Sequence, residues 1–197
     1  MIQYVPNALT IARILLTPVL LLLLWTNTLA TLASALVLFI LASISDYWDG
    51  RLARTYQVRT RLGQFLDPFA DKVLVLGTFA TLSVMEPQIV PWWAVLLIAL
   101  RDVGVTALRS WAESHGRTLR TLAAAKWKTT FQLVFLIGML LVLTLTKIPG
   151  FIGDAAVRVL RSGFPFALLL VVVGVTVLTG LLYTFRLEYT ANTDLDG

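Results

Sequence analysis

Stretches of close to twenty apolar residues follow one another along this chain, divided only by short polar or proline-bearing breaks. A helix needs roughly 20 such residues to cross the hydrocarbon of a bilayer. Inside that hydrocarbon the chain must satisfy every backbone amide and carbonyl itself, so only helices and closed barrels are admissible. The runs lack the alternation of a barrel strand, which leaves helices. Composition agrees: 58% of residues are hydrophobic and 14% charged, where a soluble domain carries about 25% charged. Mean hydropathy is +0.83. The expected fold is an all-α integral membrane protein, a single domain over residues 1–197.

Six transmembrane helices are predicted, over 8–26, 29–55, 65–85, 91–113, 122–146 and 164–187. Trp25-Thr-Asn-Thr28 divides the first pair. Glu86-Pro-Gln-Ile-Val-Pro91 divides the third from the fourth, because proline lacks the amide and biases its predecessor away from helix. Lys147-Ile-Pro-Gly150 closes the fifth. Ahead of the first span, Met1 to Asn7 reads as a short N-terminal interfacial segment with Tyr4 at headgroup level. Trp92, Trp93, Trp111 and Trp127 read as interfacial anchors. The first apolar run has neither a basic leader nor a small-residue cleavage pattern, so no cleavable signal is expected.

Orientation follows from the basic residues. The connection between the second and third spans holds Arg51, Arg54, Arg59 and Arg61. The one between the fourth and fifth holds Arg109, Arg117, Arg120, Lys126 and Lys128. The first and third connections hold none, so the two basic loops and both termini are expected in the cytoplasm. Lys147, Arg158 and Arg161 run against that pattern. The net charge of +5 fits loops facing anionic lipid, and no nucleic-acid partner is expected. The chain has no cysteine and a single histidine, His115. Thiolate, disulfide and histidine-based metal chemistry are therefore not expected, and His115 is given no role.

Against this apolar background four aspartates stand out: Asp46, Asp49, Asp67 and Asp71. Spacings of three and four put each pair on one helical face, at the cytoplasmic ends of consecutive helices expected to be neighbours. Charge among membrane helices is costly unless paired or solvated, and four groups of one sign cannot satisfy one another. They call for cations. An all-oxygen carboxylate set suits magnesium or manganese, and four carboxylates suit two ions, an arrangement used for phosphoryl displacement. Gly50 and Ala53 leave room for a phosphate or nucleotide to reach the helix backbone, or simply allow close helix packing. Arg54 offers a guanidinium for phosphate, or is a flanking cytoplasmic charge.

The whole run from Asp46 to Asp71 reads Asp-x2-Asp-Gly-x2-Ala-Arg-x8-Gly-x3-Asp-x3-Asp, and in this it resembles the signature of the CDP-alcohol phosphatidyltransferases. The resemblance implies integral membrane enzymes of six spans, usually homodimeric, that move a phosphatidyl group from a CDP-activated lipid to an alcohol and release CMP. It implies a dinuclear magnesium or manganese site held by Asp46, Asp49, Asp67 and Asp71, with Asp71 also the general base. It implies CDP-lipid contacts from Asn7 to Thr10, Gly50, Arg54 and Thr60. The cytoplasmic membrane of a bacterium is the implied location, with the active site on the cytoplasmic side.

The acceptor is read from the second half. Arg101 and Asp102 fall near the middle of the fourth span, where an arginine needs a polar cavity or a partner; Asp102 is the obvious partner. Arg109, Lys126 and Lys128 join a basic zone at the same membrane face as the aspartates. That zone is either an ordinary cytoplasmic loop or a pocket for an acceptor already carrying phosphate. Lys126 and Lys128 begin a helix, where cations oppose the macrodipole, and this favours a ligand. Pro6-Asn7-x-Leu9-Thr10-x2-Arg13, Ala70-Asp71-Lys72, Thr106-Ala-Leu-Arg109-x-Trp111 and Lys126-x-Lys128-Thr129-Thr130-x-Gln132 are similar to the branch of the family that joins CDP-diacylglycerol to sn-glycerol 3-phosphate. The similarity fades in the last two helices, and Arg101-Asp102 departs from the expected arginine-glutamate. The expected acceptor-phosphate residues are Arg101, Arg109, Lys126 and Lys128. Phosphatidylglycerol, as in cardiolipin synthesis, or inositol phosphate are the alternative acceptors. A divalent-cation transporter is the reading from another class, but Arg54 beside the aspartates would repel a passing cation.

Overall fold

The computed structural model describes the backbone of residues 5–55, 61–114 and 123–193, and the side chains of 12–45, 72–108 and 128–182. Among the described residues there are seven helices and no strand: α1 Val5–Thr26, α2 Leu29–Thr55, α3 Arg61–Met85, α4 Trp92–Ser114, α5 Ala123–Leu145, α6 Phe151–Arg161 and α7 Phe164–Thr193. All six predicted helices are present. Val5 to Asn7, expected as an interfacial approach, instead form the first turn of α1, while Met1 to Tyr4 lie outside the described residues. The short α6 was not expected.

The breaks have local causes. Asn27 takes φ 53° just past α1, the left-handed conformation that asparagine tolerates at a helix end. Thr28 then caps α2 reciprocally with Thr31: each backbone amide donates to the other's hydroxyl, at 3.0 and 3.3 Å, which satisfies two otherwise orphaned donors. After α3, Ile89 and Val90 turn back onto the Glu86 carbonyl at 3.0 and 2.9 Å. After α5, Gly150 at φ 91° opens α6. Gly153 lies so close to the preceding turn that a Cβ there would stand 2.1 Å from the Ile148 carbonyl oxygen. Gly163, at φ 76°, reverses the chain into α7.

Helix α1 packs against α2 and α3, α2 against α5, α3 against α4, α4 against α7, and α5 against α6 and α7. Over the described residues α2 and α3 both pack on α1; the side chains at the ends of α2 and α3 expected to converge lie outside the described residues. The core runs along the bundle through Leu20, Leu24, Phe39, Phe79, Leu82, Ile98, Phe135, Leu136 and Leu140. Phe79 of α3 stacks on Phe135 of α5 with ring centroids 5.8 Å apart. Buried threonines satisfy themselves locally: Thr17, Thr78, Thr144 and Thr176 each donate to the carbonyl four residues back. That back-bonding lets a hydroxyl sit in an apolar interior.

The outside of the bundle is also hydrocarbon. Leu15, Leu22, Leu100 and Leu178 keep 65%, 68%, 69% and 62% of their surface exposed. Exposed apolar surface on this scale suits lipid, not water. Among the described residues, Lys128–Leu145 and Phe164–Leu182 are long and apolar enough to cross a membrane. Ala12–Thr26, Leu29–Ser45 and Lys72–Met85 are shorter apolar stretches.

Candidate functional site

The helices carry the predicted residues as follows. Asn7 and Thr10 fall in the first turns of α1. Asp46, Asp49, Gly50 and Arg54 fall in the C-terminal part of α2, and Asp67 and Asp71 in the first half of α3. Arg109 lies near the end of α4 and Lys126 in the first turn of α5. The side chains of all these residues, and Thr60 altogether, lie outside the described residues. The backbone still constrains them. Because both acidic segments are helical, the three- and four-residue spacings set Asp46 with Asp49, and Asp67 with Asp71, on common faces. Carboxylates without sulfur or imidazole are the donors that a hard divalent cation would take, were the four to converge.

Arg101 and Lys128 are described, and the bundle brings them together on one carboxylate. Asp102 of α4 is paired with the Lys128 ammonium of α5 through both of its oxygens. It also accepts a bond of 3.2 Å from Arg101. Arg101 reaches across to α7, where its other terminal nitrogen donates to the Thr179 hydroxyl at 3.0 Å. Asp102 and Lys128 are each 6% exposed. A buried ion cluster is tolerable only when its geometry is good and further hydrogen bonds complete it, and here three helices supply them. One turn along α4, Thr106 donates to the Asp102 carbonyl at 2.7 Å and accepts from Lys72 of α3. Lys72 directly follows Asp71. Gln132, one turn beyond Lys128, is 2% exposed, and its amide nitrogen makes no hydrogen bond within the described chain.

Sequence reasoning missed the contribution of α7. Thr179 holds Arg101, and Gly180 makes space for it: a Cβ at Gly180 would meet the Arg101 Cγ at 2.8 Å. The only signal was a Thr-Gly pair inside a long apolar run.

At the opposite end of the bundle, α6 carries two of the three charges that run against the orientation pattern, Arg158 and Arg161, and Lys147 precedes it. Its acid, Asp154, is in the first turn and its bases, Arg158 and Arg161, in the last, each on the side its helix dipole favours. Arg158 also lies over the Phe151 ring at 5.9 Å. Burial pushes the Glu86 carboxyl above its ordinary range, against the opposing pull of Lys147 and Arg161.

These features define a class: a helical membrane protein whose acidic helix pair and buried basic cluster lie on different helices of one bundle. The chain belongs to the CDP-alcohol phosphatidyltransferase family, whose sequence pattern matches residues 3–181. Among its relatives are three proteins named CDP-diacylglycerol–glycerol-3-phosphate 3-phosphatidyltransferase. The one from Cereibacter sphaeroides is 37% identical over 134 residues, covering 66% of this chain and 60% of the relative. The one from Haemophilus influenzae is 33% identical over 140 residues, covering 69% and 75%. The one from Escherichia coli K12 is 36% identical over 143 residues, covering 69% and 76%. The matched part of the chain thus spans less than two thirds of the first relative and about three quarters of the others.

Proposed function

We propose that this protein transfers the phosphatidyl group of CDP-diacylglycerol to sn-glycerol 3-phosphate, giving phosphatidylglycerol phosphate and CMP. The observation that carries the reading is the complete aspartate signature on two successive helices, in a chain whose relatives bear the name of that activity. In the reaction the acceptor's 1-hydroxyl oxygen bonds to the lipid-side phosphorus, the bond from that phosphorus to the bridging oxygen breaks, and CMP leaves. Asp71 takes the hydroxyl proton as general base. Asp46, Asp49, Asp67 and Asp71 would hold two magnesium or manganese ions, which supply charge neutralisation at the diphosphate when bound. Asn7, Thr10, Gly50, Arg54 and Thr60 would seat the CDP-lipid, Arg54 offering paired donors to phosphate. Arg109, Lys126 and Lys128 would face the acceptor's phosphate, with Arg101 behind them.

We read the long helices α1 to α5 and α7 as six spans, with α6 lying at the outer surface. The basic connections and the active site then face the cytoplasm, in a bacterial inner membrane. A homodimer is part of the same reading. The decisive experiment supplies purified protein with labelled CDP-diacylglycerol and, in turn, glycerol 3-phosphate, phosphatidylglycerol and inositol phosphate. Phosphatidylglycerol phosphate formed only with the first is the expected product. A product with either of the others alone would reassign the acceptor, and ion flux without CMP release would refute the transferase.

A further inference from the structure

The buried cluster on α4, α5 and α7 brings Arg101 and Lys128 onto the Asp102 carboxylate, and buried charges hold together only where their geometry is good and further hydrogen bonds complete them. Lysine is a point charge on a flexible four-carbon stem, and a lysine meant to meet a phosphate gains from being held in one place. Asp102 supplies that hold through both oxygens. The carboxylate is itself fixed from the other side. Arg101 binds it at 3.2 Å and is pinned by the Thr179 hydroxyl at 3.0 Å. Thr179 is suited to accept there, because its own hydrogen is directed to the backbone carbonyls of Val175 and Thr176. Gly180 lets the arginine stem lie against α7, since a Cβ would stand 2.8 Å from its Cγ.

The cluster is also in the right place. Lys72, next to the proposed base Asp71, bonds Thr106, and Thr106 is one helical turn from Asp102, about 6 Å of rise. We infer that Asp102 is a positioning residue for the transfer. It fixes the Lys128 ammonium where the acceptor's phosphate is received, while Arg101, seated on Thr179 and Gly180, orients the carboxylate and does not itself serve the acceptor. This rests on the proposed glycerol 3-phosphate activity.

The test measures KM for each substrate and kcat on full-length, folded Asp102→Asn, Asp102→Glu and Thr179→Val proteins. Loss of a charged hydrogen-bond partner implies a rise of about 10- to 100-fold in KM for glycerol 3-phosphate in Asp102→Asn. KM for CDP-diacylglycerol should stay unchanged, and Asp102→Glu should recover most of the loss. Thr179→Val, which touches no substrate, should raise the same KM by a few-fold, and it decides the matter if Asp102→Asn does not accumulate. An unchanged acceptor KM in either variant, or an equal rise in both KM values, overturns the inference while the transferase reading stands. A wild-type protein that transfers only to an alcohol without phosphate overturns both.

Discussion

The stack of Phe79 on Phe135 offers the sharpest test of how this bundle is held together. Both rings are buried, at 0% and 1% exposure, with centroids 5.8 Å apart and planes 9° from parallel. In a water-soluble core, Phe→Ala loses a transfer term and leaves a cavity, for about 3–5 kcal/mol in total. Between membrane helices the transfer term largely disappears, because lipid tails are as apolar as the ring's site. What is left is the void, on the order of 100 Å³ at about 24 cal/mol per Å³, or about 2.4 kcal/mol. Loss of the ring pair adds about 0.5–1.5 kcal/mol. Phe135→Ala should therefore destabilise by about 3–4 kcal/mol, measured by reversible unfolding in mixed micelles, and Phe135→Leu by less than half of that. Adding Phe79→Ala to Phe135→Ala should cost less than the sum of the two singles, since contacting residues couple. A Phe135→Ala protein within about 1 kcal/mol of wild type, or strict additivity of the pair, would refute this account of α3 on α5.

Asp71→Asn should abolish phosphatidyl transfer while leaving CDP-lipid binding measurable by equilibrium dialysis; appreciable turnover would remove Asp71 from the chemistry. Stripping divalent ions with a chelator should stop turnover, and added magnesium or manganese should restore it, whereas full activity after exhaustive chelation would contradict the carboxylate site. Glu86 gives a pH prediction with a definite sign. A carboxyl whose folded pKa lies above its unfolded value contributes stability below the unfolded pKa and loses it as pH rises through the folded one. Because burial raises Glu86, Glu86→Gln should raise the unfolding temperature at pH 8 and leave it unchanged at pH 4; a fall at pH 8 would mean that the attraction to Lys147 and Arg161 outweighs burial. Gly153→Ala, forced against the Ile148 carbonyl, should destabilise by about 1–3 kcal/mol as overpacking does, with specific activity of the folded fraction retained.

Long apolar periodicity is the easiest signal to read in a chain like this, and the six long helices were legible for that reason. Thr-Asn-Thr and the paired prolines each marked a boundary within a residue or two of where a helix ends. Helix α6 escaped because its eleven residues mix both charges with small apolar ones, and its limits rest on two glycines whose positive φ values are invisible without coordinates. Chemistry divides in the same way. Carboxylates three and four apart declare a shared helical face from spacing alone. The link of Arg101 to Thr179 joins residues 78 positions apart, and no local pattern encodes it. Asp102 was legible as a partner for Arg101, its sequence neighbour, but not as the partner of Lys128, 26 residues away.

The two groups of charge also occupy different helices. The aspartate signature lies on α2 and α3, which both pack on α1, whereas the buried ion cluster lies where α4 and α5 each pack on α7; α2 meets α5 and α3 meets α4 between them. Lys72 bonded to Thr106 ties the acidic half to the basic half where α3 meets α4. Lys72→Met should therefore weaken the coupling between the halves: KM for both substrates should rise, with kcat falling more than either KM rises. A change confined to one substrate would place Lys72 inside a single binding site and not at the joint.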